Sequence, residues 1–168
     1  MSFNMDKEVL RKLLVCAVDV SGLGSGSTPE WEVQGYKTED NSIEYNADVT
    51  TITDILGDTY TDVNKLERKI SFDPNTLRQG SKLSELLLKY ERDDELDKFS
   101  SFKVLIIYGF LGTDGSYEAD MYDACTIFPT SLGGSSRVNF PFEINFGGNK
   151  TKGTVNSMRA PITFTAGA

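Results

Sequence analysis

A chain of 168 residues is long enough for one domain with a true core. Its formal net charge of −8 argues against a surface that grips nucleic-acid phosphates, which needs clustered Lys and Arg. Histidine is absent, which removes Ser-His-Asp and Cys-His catalysis and His-based metal sites together.

Hydrophobic content of 39% and a mean hydropathy of −0.30 describe a soluble globular chain. No apolar run approaches the roughly 20 residues of a membrane helix. Residues 1–11 read as an N-terminal arm. The apolar stretch 13–18 follows Asp6 and Glu8, precedes Asp19 and lacks a small-residue cleavage site, so no export signal is expected. Residues 12–20 alternate as a strand, with Leu14, Cys16, Val18 and Val20 on one face. SGLGSGSTP, residues 21–29, is a loop by composition. WEVQGY, residues 31–36, is a short strand whose Trp31 anchors core.

Residues 39–73 read as two long strands joined near Leu56-Gly57-Asp58. Ile43, Tyr45, Ala47, Val49 and Thr51 fall on one face, and Glu44, Asn46, Asp48 and Thr50 on the other. Each strand is expected to run for roughly twelve residues, with a bulge or twist near Ile52. Tyrosine aside, every ionisable side chain from Glu39 to Asp62 is acidic. Lys37 and Lys65 flank this run. A long hairpin with few neighbours invites pairing with another subunit's sheet edge.

Asp73-Pro74-Asn75 breaks the strand. Residues 81–92 form the expected helix, with Leu83, Leu86, Leu87 and Tyr90 on one apolar face and Ser81 as N-cap. The charged run 91–98 reads as a solvated last turn and loop. FKVLIIYGFL, residues 102–111, is dense in apolar residues and reads as a central buried strand. A turn follows at 112–115. Residues 117–128 alternate again, Tyr117, Ala119, Met121, Cys125 and Ile127 sharing a face with Asp123 the exception. Residues 129–136 are a loop. Val138, Phe140, Phe142, Ile144 and Phe146 alternate cleanly, with Pro141 suggesting an edge or bulge. Residues 147–150 turn the chain, and 154–156 and 162–165 finish as short strands. The whole is mainly β: an antiparallel sandwich or barrel with one flanking helix and a long hairpin, in one domain, 1–168.

Chemistry is sparse. Cys16 and Cys125 are expected as buried free thiols rather than a disulfide. The glycines of SGLGSGS lack the Lys-Ser/Thr of a phosphate-binding loop, and no GxSxG elbow occurs. Asp93, Asp94 and Glu95 lack calcium-loop spacing. No catalytic, cofactor or metal site is expected, and the chain does not read as an enzyme.

One succession of features stands out. VDVSG at 18–22 leads into the Gly/Ser loop, WEVQGY at 31–36 and SIEYN at 42–46. The helix and VLIIY at 104–108 come next. TIFPTSLGG at 126–134, the alternating strand at 140–146 and GGNKTKGT at 147–154 close the order. This succession resembles the major tail tube proteins of long-tailed bacteriophages, in particular those infecting Gram-positive hosts.

The resemblance implies a virion structural protein, assembled in the host bacterial cytoplasm. Its copies would form hexameric rings stacked into the hollow tail tube through which the genome is ejected. The hairpin at 39–73 would contribute to the lumen wall, with Glu44, Asp48, Asp54 and Asp58 facing viral DNA that passes without specific binding. Six copies at −8 each put −48 on a ring. Ile43, Tyr45, Val49, Lys7, Ser25 and Leu132 are the expected contacts between subunits and rings. Further expected partners are the tape measure protein and the tail tip and terminator proteins, with no cofactor and no membrane. The alternatives are the inner tube of a contractile tail or secretion particle, and a monomeric β-sandwich binding module.

Overall fold

The computed structural model of the chain describes residues 8–22 and 28–168. Its strands are β1 (Leu14–Asp19), β2 (Trp31–Val33), β3 (Ala47–Thr53), β4 (Thr59–Leu66), β5 (Lys69–Phe72), β6 (Phe102–Thr113), β7 (Ser116–Pro129), β8 (Phe142–Asn145), β9 (Lys150–Val155) and β10 (Phe164–Ala166). One α-helix, α1 (Lys82–Arg92), sits between β5 and β6. The main sheet runs β10-β9-β7-β6-β1-β2, and β7 also pairs β8, which pairs β5. Every one of these pairings is antiparallel. The fold is therefore mainly β, a curled antiparallel half-barrel with one helix and a long β6–β7 hairpin.

The apolar run in β6 explains its central place. Val104 and Ile106 point into a first core, while Leu105 and Ile107 point into a second on the opposite face. A strand covered on both faces loses the polar half of its alternation. The first core is closed by Leu83, Leu87 and Tyr90 of α1 and by Ile70, Phe72, Phe142 and Ile144 of β5 and β8. Phe72 and Phe142 stack there at 4.9 Å between ring centres. The second core gathers Ala17, Trp31, Ala119, Val155 and Ile162.

β7 does not keep one phase. Ala119 and Met121 face the second core, whereas Tyr122, Cys125 and Ile127 face the first. The register explains the switch. Val104 pairs Tyr122 but Phe102 pairs Cys125, so β7 carries one extra residue, a bulge spanning Asp123 and Ala124. The expectation of one shared face from Tyr117 to Ile127 fails at that bulge. Asp123 uses the distortion to accept the Asn149 amide at 2.6 Å. Gly148 sits against it with φ +70°, and a Cβ there would collide with the Asp123 carboxylate. This same turn releases β9, which starts at Lys150, four residues ahead of the expected strand.

Helix α1 is capped from outside. Ser81 holds the N-cap position but makes no capping bond. The Glu32 carboxylate of β2 instead accepts the Lys82 amide at 2.8 Å and the Ser81 hydroxyl at 3.1 Å. A carboxylate at a helix N-terminus meets both an orphan donor and the positive end of the dipole. Beyond α1 the run 91–98 is more than a solvated loop. Residues Leu96–Ser100 form a 3₁₀ turn that buries Phe99 in the first core, edge-on to Tyr90.

Candidate functional site

The part of the chain that stands apart is the hairpin of β3 and β4. These two strands form a separate two-stranded sheet, and all their residues are exposed. Among the described residues both outer edges are therefore unpaired. Two-stranded hairpins are marginal alone in water, and exposed apolar edges are templates for pairing. This one displays Val49, Ile52, Tyr60, Val63 and Leu66, and at its tip Ile55 and Leu56 are 103% and 82% exposed.

Local chemistry builds the hairpin and ends it. Asn46, at φ 38°, breaks the chain direction ahead of β3, and its side-chain amide donates to the Glu67 carbonyl at 3.1 Å. Below this neck, Glu44 and Lys69 exchange backbone bonds of 2.8 and 3.0 Å. At the tip Asp54 folds the turn: its Oδ1 accepts the amides of Leu56 and Asp58 at 2.8 and 3.0 Å. Aspartate favours such turns because its short carboxylate mimics a backbone carbonyl.

Several expectations change here. The strands have 7 and 8 residues, not roughly twelve, because the Asn46 break and the neck separate them from 39–45 and from β5. The register shift lies between Asp48 and Val49, not near Ile52, with Asn64 as the extra residue. Asn64 donates to Thr50 Oγ1 at 2.6 Å. Ala47, Val49, Thr51 and Thr53 share a face with Thr59, Thr61, Val63 and Leu66. Asp48, Thr50 and Ile52 share the other with Tyr60, Asp62 and Lys65. Thus the cation Lys65, which flanks the acidic run in sequence, lies directly opposite Asp48 in the ladder.

The residues singled out from sequence are spread out. Glu44 lies at the root, 3.5 Å from the Lys69 ammonium. Asp48 lies on the mixed face, Asp54 within the turn and Asp58 beside it. Ile43 packs against the first core, while Tyr45 is exposed, with the Arg68 guanidinium 5.7 Å from its ring centre. Val49 is exposed on the uncharged face, and Leu132 is exposed in the loop before β8. Lys7, Ser25, residues 1–7 of the N-terminal arm and most of the 21–29 loop lie outside the described residues. The ends of that loop are held by Asp19, which accepts the Ser21 and Glu30 amides at 3.0 Å each.

Reactive groups are held inert. Both thiols are buried and free. Burial pushes Cys16 far up, and burial likewise pushes Cys125 up to about 11, so neither is a thiolate at neutral pH. Tyr108 donates to Asp120 at 3.2 Å, and Lys150 pairs the same carboxylate at 3.1 Å. Burial, with Asp120 beside it, pushes the Tyr108 hydroxyl well above the usual tyrosine range. This chain ties β6, β7 and β9 together. Among the described residues no group of three metal-ligating side chains occurs, and no helix is long and apolar enough to cross a membrane.

Sequence reasoning missed one feature, a cleft of about 840 Å³ beside β1 and β2. Arg11, Lys12, Arg78 and Arg159 line it, from three distant parts of the chain. No local run of charge announces it.

Architecture and site together define a class: an antiparallel β domain that projects an unpartnered hairpin. No family model matches the chain, and no curated protein does. Among solved structures it is similar to a cryo-EM structure of the anti-feeding prophage cap, described as the AFP tube terminating cap. That likeness has 12% identity and a TM-score of 0.49, over 92% of this chain and 96% of that chain.

Proposed function

We propose that this chain is a self-assembling structural subunit of a phage-tail-like particle, whose copies close into rings that stack as a hollow tube. One observation carries the reading: a hairpin that is exposed on both faces, unpaired on both edges among the described residues and rich in surface apolar side chains. Closing such hairpins edge to edge around a ring removes the free edges and covers the apolar surface. The sequence resemblance to tail tube proteins supports the same reading. It covers the tube of a long-tailed phage and that of a contractile or secretion-type particle alike, since the same hairpin serves either. The first partner is then another copy of the chain. A tape measure protein inside the tube and tip and terminator proteins at its ends complete the assembly. Negative-stain microscopy of the concentrated protein should show rings or tubes. Single particles of one chain's mass at every concentration would overturn the reading.

Within that tube the Asp48–Asp62 face of the hairpin lines the lumen, with Glu44 at its root. That face carries Asp48 and Asp62 against one cation, Lys65, so its net charge is negative. It repels a polyanion and leaves DNA free to slide, and the field reaches only about 8 Å at physiological salt. Tubes of an Asp48→Lys/Asp62→Lys variant should still form and should co-sediment DNA at low salt, which unaltered tubes do not. Equal DNA retention by both would remove these residues from the wall.

A further inference from the structure

The cationic cleft is an oddity on a chain of net charge −8. Its four cations take part in no ion pair among the described residues. Among the described residues Glu39 is the lone acid in its lining. Two of the cations are fixed in place. Arg11 donates to the Leu14 carbonyl at 2.6 Å and to Asn41 Oδ1 at 2.5 Å. Arg78 lies over the Tyr36 ring at 4.3 Å. Leu14, Val33 and Met158 give the cleft an apolar side. Clustered cations over low-dielectric walls concentrate a positive field. The cleft thus fits an occupant that is acidic and apolar at once.

The hairpin tip has that composition. Asp54 and Asp58 bracket Ile55 and Leu56, the two most exposed large apolar side chains of the described residues. The turn is preformed by the Asp54 bonds, so little ordering entropy is lost on docking. Size agrees, since clefts of about 300–1,000 Å³ enclose compact ligands of this scale.

Geometry rules out self-docking. The cleft lies at the hairpin's root, because Asn41 lines it and Glu44 three residues on begins the neck. The tip is a seven-residue strand away, about 23 Å at roughly 3.3 Å per residue. The ladder of β3 and β4 keeps the hairpin from folding back. A tip can reach only another copy's cleft.

Resting on the assembly reading above, we propose that the 54–58 turn of one copy seats in the Arg11–Lys12–Arg78–Arg159 cleft of the next. Such a contact joins two different patches. It is heterologous, and repetition closes a ring or extends a filament.

The test is a charge swap, read by sedimentation velocity. Lys12→Glu/Arg159→Glu alters the cleft at two side chains that hold no bond of the fold, and Asp58→Arg alters the tip while sparing Asp54. Each variant should need about tenfold more protein to assemble. Together in one chain they should recover most of the loss. A photo-cross-linking side chain at position 12 should attach to residues 54–58 of a different copy. If the unaltered chain assembles and the swapped variants do so equally well, the tip–cleft contact is overturned and the tube reading stands. Attachment from position 12 to residues 1–7 of its own chain likewise overturns it, by giving the cleft to the arm. An unaltered chain that never assembles brings down the tube reading and this contact with it.

Discussion

Excising residues 47–66 and joining Asn46 to Glu67 through two glycines should abolish the proposed rings and tubes and leave a folded monomer. The cut is local because the neck is narrow: Asn46 already reaches the Glu67 carbonyl at 3.1 Å. The Glu44–Lys69 backbone pair below it is kept. Neither core contains a residue of β3 or β4. The body therefore loses no side chain of either core. Its melting temperature should shift by less than about 4 °C, the equivalent of about 1 kcal/mol in a chain of this size. Assembly should fall below detection in both microscopy and sedimentation. Rings that persist after excision would show that the hairpin is not the joining element. A body that unfolds would show that the hairpin is part of the core.

Replacing Phe142 with alanine gives the largest stability loss expected for a single change. The side chain is 2% exposed and stacks on Phe72 with 21° between ring planes. Removing a buried phenylalanine costs about 3–5 kcal/mol, through lost transfer energy and the cavity left behind. Domains are stable by about 5–15 kcal/mol, so the variant should be marginal. In urea its midpoint should fall sharply with the slope of the transition unchanged. A loss below about 1 kcal/mol would contradict the packing of β5 on β8.

Much of the fold was legible because burial writes itself as period. The double-sided burial of Val104 to Ile107 produced an unbroken apolar run. The one-sided burial of Leu83, Leu87 and Tyr90 produced a helical stripe. What defeated the reading was backbone irregularity, which has almost no signature in residue type. The extra residue at Asp123 swaps the faces of β7, and the left-handed Asn46 cuts the long hairpin strand short. Phe99 went unread because it directly follows the charged run 91–98, while its ring turns inward on a 3₁₀ turn. The hairpin itself was visible as a candidate, through its acidic run and its alternation. The place of its flanking cation was not legible, since register decides that Lys65 faces Asp48, and register follows from the bulge. The cleft was invisible because Arg11, Arg78 and Arg159 meet only once the sheet has curled.

β7 belongs to both halves of the half-barrel, and this sets how force travels. A pull along the β4 limb of the hairpin enters the body at Lys69, where β5 begins. There it loads the register pairs from Lys69–Asn145 to Phe72–Phe142 in shear, all at once. From β8 the load crosses to β7 and onward to β6 and β9 without leaving the peptide ladder. Strain applied to the projecting limb is thus shared across the hydrogen-bonded framework, and side-chain packing is spared the first share of it.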